Sequence, residues 1–426
     1  MSTATGCGHT NCSPKSGSSV TADVMASQPL LHLAVALDGT GWHPASWRDP
    51  QARPAELFTA GYWADLVDEA ECGLLDFVTI EDSMGLQSSS FDEPDGRKDQ
   101  VRGRLDAVLI AARVGPLTRN IGLVPTATVT HTEPFHVSKA IATLDYVTTG
   151  RAGWRAQLSR PVENRHFGRR QDPQWGIRDL ERPDVQSVIA DRFDEASDFV
   201  EVVRRLWDSW EDDAEIRDVA TGRFIDREKI HYIDFRGKWF KVSGPSITPR
   251  PPQGQPPVTA LAHAPLAYRF AARSADVVYV TPRDGNDAAT IVAQVRTEQE
   301  SAGRADEPLR IFGDLVVFLD DTEAQARERQ NRLNDLDGAD YRSDAAIFVG
   351  DPVSLADLLQ SWQAAGLSGC RLRPAAIPHD LEAITRGLVP ELQRRGAFRQ
   401  YYEADTLRGL LNLARPANRY TAASAT

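Results

Sequence analysis

The sequence has little cysteine and no long apolar segment. Four cysteines are spread over 426 residues, which favours a reducing compartment without structural disulfides, so we expect a cytoplasmic protein. No run of about 18 apolar residues occurs, and a membrane partner is not expected. The N-terminal segment lacks the apolar core of a secretory signal. The formal net charge of −12 argues against nucleic acid as the main partner.

Metal-binding signatures are also scarce. Cys7, His9 and Cys12 lie close together, but the fourth ligand of a structural zinc site is missing. The surrounding segment is rich in serine, threonine and glycine, a composition typical of disordered chain. We therefore expect residues 1–28 to form a disordered tail, and we predict no metal site.

Strand-like and helix-like segments alternate along the rest of the chain. Short apolar runs predict eight strands, at residues 31–37, 77–80, 121–124, 152–159, 258–262, 277–280, 309–319 and 369–372. Helical periodicity fills most intervals between them, which predicts an α/β protein with a (β/α)8 TIM barrel over residues 29–400. A doubly wound open sheet is the alternative. No Gly-x-Gly-x-x-Gly follows the first predicted strand, which weighs against a dinucleotide-binding domain of the Rossmann type.

Two insertions and a tail depart from a minimal barrel. A polar, arginine-rich insertion at residues 160–183 follows the fourth predicted strand, and a longer insertion occupies residues 211–255. Insertions after barrel strands lie over the C-terminal mouth, so we expect both to form walls there. Residues 401–426 are predicted to form a C-terminal tail, with residues 406–426 on the surface.

The segment 121–154 is the most informative for function. Thr126 and Thr128 follow its apolar run on alternating positions, His131 comes next, and a proline-initiated helix begins after it. Polar side chains where a strand leads into a helix are typical of the ligand-binding edge of a parallel α/β enzyme. The sequence therefore predicts a functional site at this strand end.

Several blocks of the sequence resemble the bacterial luciferase-like flavin-dependent monooxygenases, in the branch of nitrilotriacetate and dibenzothiophene-sulfone monooxygenases. The blocks follow the family's order and comprise residues 77–83, 122–154, 203–214, 229–237, 244–254 and 270–276. The combination of Leu-Trp-Asp-Ser-Trp with Pro-Pro-Gln-Gly is the specific part of the match. The resemblance implies a (β/α)8 barrel that binds reduced FMN from a separate NAD(P)H-dependent flavin reductase and uses O2 to oxygenate a small organic substrate. It also implies a homo-oligomer.

The resemblance places cofactor-binding residues at two predicted strand ends. Asp82 matches the acidic position that lies near the flavin, and Thr128 matches the threonine that ends strand three and faces the flavin. Thr126 lies on the same face as Thr128 by the two-residue period of a strand. The structural alternatives are a turn-capping role for Asp82 and barrel packing for the threonines.

Other family positions are changed in this chain. Arg155 stands where the branch has asparagine, and Ile189 and Phe193 stand where it has histidine and tyrosine. His263 and Pro265 replace a glycine and a serine that serve the FMN phosphate, and proline offers neither an N–H nor a hydroxyl. We expect a weakened phosphate site, which a bidentate Arg155 or Arg269 could restore. Surface or interface salt bridges for the arginines, and core packing for Phe193, are the alternatives.

His131 and His263 are the predicted catalytic residues, because both are expected at the barrel mouth. Either could donate a hydrogen bond at the flavin or act as an acid or base near pH 7. A purely structural hydrogen bond is the alternative for each.

Three hypotheses for the function follow from these residues. The first is a two-component monooxygenase that depends on reduced FMN. The second is a flavin-free or weakly flavin-binding barrel that acts as a partner subunit or binding protein, because five family positions are changed. The third is a deazaflavin-dependent oxidoreductase. The sequence does not identify the substrate, because barrel mouths diverge while the fold is kept.

Overall fold

The computed structural model describes residues 29–90, 93–167 and 175–423. Cys7, His9 and Cys12 lie outside these ranges. The described strands are β1 (His32–Leu37), β2 (Phe77–Ile80), β3 (Gly122–Thr128), β4 (Trp154–Gln157), β5 (Glu215–Asp218), β6 (Arg223–Ile225), β7 (Phe235–Arg236), β8 (Lys241–Val242), β9 (Val258–Leu261), β10 (Val277–Val280), β11 (Arg310–Leu319), β12 (Ala346–Gly350) and β13 (Gly369–Pro374).

Helices occupy most intervals between these strands. They are α1 (Ala60–Cys72), α2 (Ala107–Val114), α3 (Pro134–Val147), α4 (Pro161–Asn164), α5 (Pro183–Asp208), α6 (Pro265–Ser274), α7 (Gly285–Ser301), α8 (Glu323–Asp337), α9 (Pro352–Ala364), α10 (His379–Ala383), α11 (Val389–Arg394), α12 (Leu407–Leu410) and α13 (Arg419–Ala423). A π-helical turn at Ile384–Leu388 joins α10 to α11. Among the described helices, none combines the length and the apolarity needed to cross a bilayer.

Eight parallel strands close into a barrel in the order β1, β2, β3, β4, β9, β10, β11 and β13, and β13 pairs back to β1. All eight strands coincide with the predicted ones, and the (β/α)8 prediction is confirmed. The additional strand β12 pairs with the last five residues of β11, outside the closed ring. Neither β12 nor α9 was predicted from the sequence.

The N-terminal end of the barrel is closed by the C-terminal segment of the chain. Leu407 and Leu411 are fully buried and pack with Phe77, Tyr279 and Phe312 in one apolar cluster inside the barrel. The predicted surface position of residues 406–426 is therefore wrong for these leucines. Their apolar surface gains more from the open end of the barrel than from solvent.

Two glycines make room for this closure. A Cβ atom at Gly122 would lie 2.6 Å from Leu407 Cδ1, and one at Gly153 would lie 3.1 Å from Leu407 Cδ2. Arg408 then fastens the segment, because its Nη1 donates to Gln255 O at 3.0 Å and lies 3.3 Å from Asp276 Oδ1. The absence of side chains on β3 and just before β4 thus admits the terminal leucine.

The insertion at residues 211–255 packs beside α5 near this same end of the barrel. Phe240 meets Phe199 of α5 edge-on at 5.6 Å, and the Arg250 guanidinium donates to Pro416 O at 2.9 Å. The expectation that this insertion covers the mouth is wrong. It follows a helix that runs away from the mouth, so the chain enters the insertion at the opposite end of the barrel.

We expect Leu407→Ala to destabilise the fold by about 2–5 kcal/mol, because it removes a fully buried side chain and leaves a cavity at the barrel end. Chemical denaturation followed by tryptophan fluorescence measures the loss. Leu109→Ala is the matched control, since Leu109 is 68% exposed and should change stability by less than about 0.5 kcal/mol. Equal losses in both variants would contradict the closing role of Leu407.

Candidate active site

The barrel interior below the C-terminal mouth is filled by charged side chains. Successive residues of a strand face opposite sides, so Arg155 of β4, Asp314 of β11, and Arg371 and Arg373 of β13 point inward. Glu81 directly follows β2, and all five side chains are at most 8% exposed. We call these five residues the buried ion network. Branched apolar side chains usually occupy such barrel positions.

Glu81 joins two of the three arginines. Its Oε2 lies 2.9 Å from Arg155 Nη1, and its Oε1 lies 3.2 Å from Arg371 Nη1. Arg155 Nη1 also donates to the Thr126 hydroxyl at 3.0 Å and to Gln157 Oε1 at 2.7 Å. Burial lowers the pKa of Arg155, and Glu81 opposes this effect. The ends of β2, β3, β4 and β13 are therefore tied together by one carboxylate.

Asp314 joins the other two arginines. Its carboxylate accepts from Arg371 Nη2 at 2.6 Å and Nε at 2.9 Å, and from Arg373 Nε at 2.9 Å and Nη2. Burial alone would raise the pKa of Asp314, but the two guanidinium groups hold it below its ordinary value. The Arg371 guanidinium also lies 4.2 Å from the centre of the Tyr279 ring.

The network continues to the rim through Asp344, from the segment between α8 and β12. Arg373 Nη1 donates to Asp344 Oδ1 at 2.6 Å. His263 Nε2 lies 3.2 Å from Asp344 Oδ2, and His263 Nδ1 lies 3.1 Å from the Thr281 hydroxyl. Burial would raise the pKa of Asp344, whereas His263 and Arg373 hold it well below its ordinary value. The predicted catalytic His263 is thus exposed, with both ring nitrogens engaged.

His131 occupies the loop between β3 and α3 with a positive φ of 67°. Its Nε2 lies 2.8 Å from Asn164 Oδ1, and its ring stacks on Phe167 with centroids 4.5 Å apart. Its Nδ1 is buried without a hydrogen-bond partner. A buried, unpaired ring nitrogen costs free energy unless a ligand or water supplies the partner. Of the two predicted histidines, His131 is the one with an unused polar atom.

The predicted cofactor-binding residues fall into two groups. Asp82 is half-buried, and its carboxylate accepts from Ser83 N at 2.7 Å and Ala107 N at 3.1 Å. Burial raises the pKa of Asp82, against these two hydrogen bonds. The carboxylate therefore holds the loop that leads into α2, which is a positioning contact. Thr128 is buried at the end of β3, and its carbonyl accepts from the Thr132 hydroxyl at 2.5 Å.

Three further predictions find their place in the structure. Arg155 lies inside the barrel with Nη1 committed to the network, so neither a surface salt bridge nor bidentate pairing with a phosphate describes it. Arg269 is exposed and pairs with Glu298 at 3.3 Å, as the surface alternative predicts. Phe193 packs against Phe270, with ring centroids 5.8 Å apart, between α5 and α6.

Sequence reasoning missed Asp314, Arg371 and Arg373 and treated Glu81 as secondary. A signal was present, because a lone aspartate interrupts the apolar run 309–319, and two arginines flank Leu372 in the last predicted strand. Charged residues within strands that are buried on both faces require partners inside the barrel.

A cleft of about 610 Å³ opens beside the network, between the loop after β1 and residues 337–342. Trp42 lines it, and the Arg373 guanidinium lies 4.4 Å from the centre of the Trp42 ring. Arg104 lines it too, and binds Asp38 through Nη2 at 2.5 Å and Nε at 3.0 Å. The cleft therefore has polar and aromatic walls and a volume suited to a small organic molecule. Within the described residues, no cluster of three or more histidine, cysteine, aspartate or glutamate side chains could hold a metal ion.

A closed parallel barrel with polar groups at the carboxyl ends of its strands defines a TIM-barrel enzyme. The chain belongs to the luciferase-like monooxygenase family, whose model matches residues 40–352. It is 30% identical to component A of nitrilotriacetate monooxygenase from Aminobacter aminovorans, over 92% of this chain and 99% of that protein. It is also 30% identical to N-acetyl-S-(2-succino)cysteine monooxygenase from Bacillus subtilis (strain 168), over 92% and 98%.

Solved structures agree on the fold. A long-chain alkane monooxygenase superposes with a TM-score of 0.77 at 23% identity, over 90% of this chain and 95% of that chain. A riboflavin lyase with modified FMN gives a TM-score of 0.77 at 24% identity, over 92% and 97%. Family membership and the curated relatives make this chain a flavin-dependent oxidoreductase of the monooxygenase type.

We expect Asp314→Asn to destabilise the protein by about 3–5 kcal/mol, because two buried guanidinium groups would lose their common carboxylate. Asp344→Asn is the matched change at the rim. Its side chain is 45% exposed, and solvent screening should limit the loss to about 1 kcal/mol. Urea denaturation of both variants gives the comparison. A larger loss for Asp344→Asn would show that the network depends on its rim and not on its centre.

Proposed function

We propose that this protein is the oxygenase component of a two-component monooxygenase. In this proposal a separate NAD(P)H-dependent flavin reductase supplies reduced FMN, and the protein uses it with O2 to oxygenate a small organic substrate. The single observation that carries the proposal is the pair of buried, unpartnered nitrogens at the mouth, His131 Nδ1 and Arg155 Nε. The expected homo-oligomer and cytoplasmic location stay predictions.

These two nitrogens support the fit of a flavin. They belong to the ends of β3 and β4, which are adjacent in the barrel, and Arg155 pairs in register with Thr126. A polar heterocycle with carbonyl and ring-nitrogen atoms offers partners that the described protein lacks at this point. His131 and Arg155 would contact the flavin, Thr128 would line the site, and Asp82 would hold the loop beside it.

Each group has a distinct role in this proposal. Reduced FMN, when bound, supplies the electrons for O2 activation. His131 is held by Asn164 and Phe167, so its Nδ1 is pre-oriented to hold or transfer a proton at the mouth. The cleft lined by Trp42 would bind the substrate beside this position and exclude water from it.

The phosphate end of the cofactor has less support. His263 and Pro265 stand at the start of α6, and both nitrogens of His263 are occupied by Asp344 and Thr281. This arrangement is the observation behind the alternative of a flavin-free partner subunit, since the B. subtilis and A. aminovorans relatives are named as monooxygenases but one further relative is a subunit of pristinamycin IIA synthase.

The proposal predicts tight binding of reduced FMN. Anaerobic titration of the purified protein, with free flavin separated by ultrafiltration, should give a micromolar Kd, about −8 kcal/mol. Substrate oxidation should then require a flavin reductase, NAD(P)H and O2 together. Absence of binding up to millimolar FMN, with or without reduction, would leave the partner-subunit function. A shift in absorbance with a deazaflavin alone would indicate the third hypothesis.

The two histidines should differ in the same assay. We expect His131→Ala to weaken binding of reduced FMN about tenfold, because one hydrogen bond from a pre-oriented donor is lost. His263→Ala should change the Kd less than about threefold, because its ring nitrogens are already paired. Equal effects in the two variants would contradict the assignment of His131 to the flavin.

A further inference from the structure

Arg155 carries a buried positive charge that the network compensates only in part. The residue is 5% exposed, and Glu81 is the one carboxylate that it contacts among the described residues. Glu81 is shared with Arg371, and the remaining acceptors of Arg155 Nη1 are the neutral Thr126 and Gln157. Half of a carboxylate therefore faces a whole guanidinium at this position.

The rest of the network does not make up the difference. Asp314 is shared between Arg371 and Arg373, so three buried arginines share two buried carboxylates. The further carboxylate, Asp344, is partly in solvent and binds Arg373 and His263 on the β13 side of the barrel. Solvent screens its effect on Arg155. The excess of positive charge thus lies at the β4 side of the barrel.

Arg155 also has donors to spare. Its Nε is buried without a partner, and its Nη2 donates no hydrogen bond to the described residues. Gln157, which accepts from Nη1, donates in turn to the Asp82 carbonyl at 2.9 Å, so the guanidinium lies at the floor of the mouth. A buried cation with unused N–H groups at the floor of a binding site favours an anionic ligand.

The two redox forms of FMN differ in the required property. Reduced flavin carries a negative charge on its pyrimidine ring near neutral pH, whereas the oxidised ring is neutral and the phosphate is the same in both. A cation near the ring therefore stabilises the reduced form selectively. The proposed function requires such a distinction, since the protein must take up reduced flavin and release oxidised flavin to the reductase.

We propose that Arg155 contacts the anionic ring of reduced FMN and makes this chain bind the reduced form in preference to the oxidised form. This inference rests on the proposed function and assigns Arg155 to the ring of the cofactor, where the sequence suggested its phosphate. Arg155 stands where the related enzymes have a neutral asparagine, so the preference is a property of this chain.

The test compares the Kd of oxidised FMN with the Kd of anaerobically reduced FMN in the full-length protein. In Arg155→Gln we expect the ratio of the two constants to fall at least tenfold, mainly through weaker binding of the reduced form. A tenfold fall corresponds to a potential of the bound flavin lowered by about 30 mV. Arg155→Lys should keep most of the preference. Arg269→Gln, at an exposed arginine, is the control and should leave the ratio unchanged.

A second variant moves the ratio in the opposite direction. Glu81→Gln removes the counter-charge and leaves Arg155 in place, so the preference for reduced FMN should increase severalfold. This variant decides the question if Arg155→Gln does not fold. A ratio that stays constant in both variants, while reduced FMN still binds, overturns the role of Arg155 and leaves the proposed function intact. Failure of the unmodified protein to bind either form overturns both.

Discussion

The pairing of buried arginines with Glu81 and Asp314 is the constraint on which the mouth of this barrel depends. Charges inside a protein are retained only when opposite charges and hydrogen bonds replace water. Here the two carboxylates bind three guanidinium groups from β4 and β13. The positions of four strand ends are fixed by these contacts, and so is the floor on which a ligand would rest.

The two ends of the barrel are built by opposite physical means. At the N-terminal end, Leu407 and Leu411 fill the space with apolar surface and exclude water. At the C-terminal end, the network keeps polar groups under the mouth and leaves His131 Nδ1 and Arg155 Nε without protein partners. The sealed end supplies stability, whereas the unsatisfied end supplies the capacity to bind.

The change from asparagine to arginine at position 155 links the architecture to the chemistry. A guanidinium could be accommodated inside the barrel only with a carboxylate nearby, which Glu81 provides. Because Glu81 also serves Arg371, the accommodation is incomplete, and the residual charge is available to a ligand. A network that holds the strands together can in this way also set the preference for one redox form of a cofactor.

The sequence by itself determined the eight barrel strands, because runs such as Val277–Val280 are apolar on both faces and alternate with helical periodicity. It also determined the family, through blocks that keep their order along the chain. Only the tertiary structure decided that Leu407 closes the barrel, that the insertion at 211–255 lies away from the mouth, and that Arg155 is buried. The reason is physical: periodicity reports which face of an element is buried, but the partner of a charge or of a terminal leucine depends on contacts between residues far apart in the chain. Glu81 and Arg371, separated by 290 positions, meet only in the closed barrel.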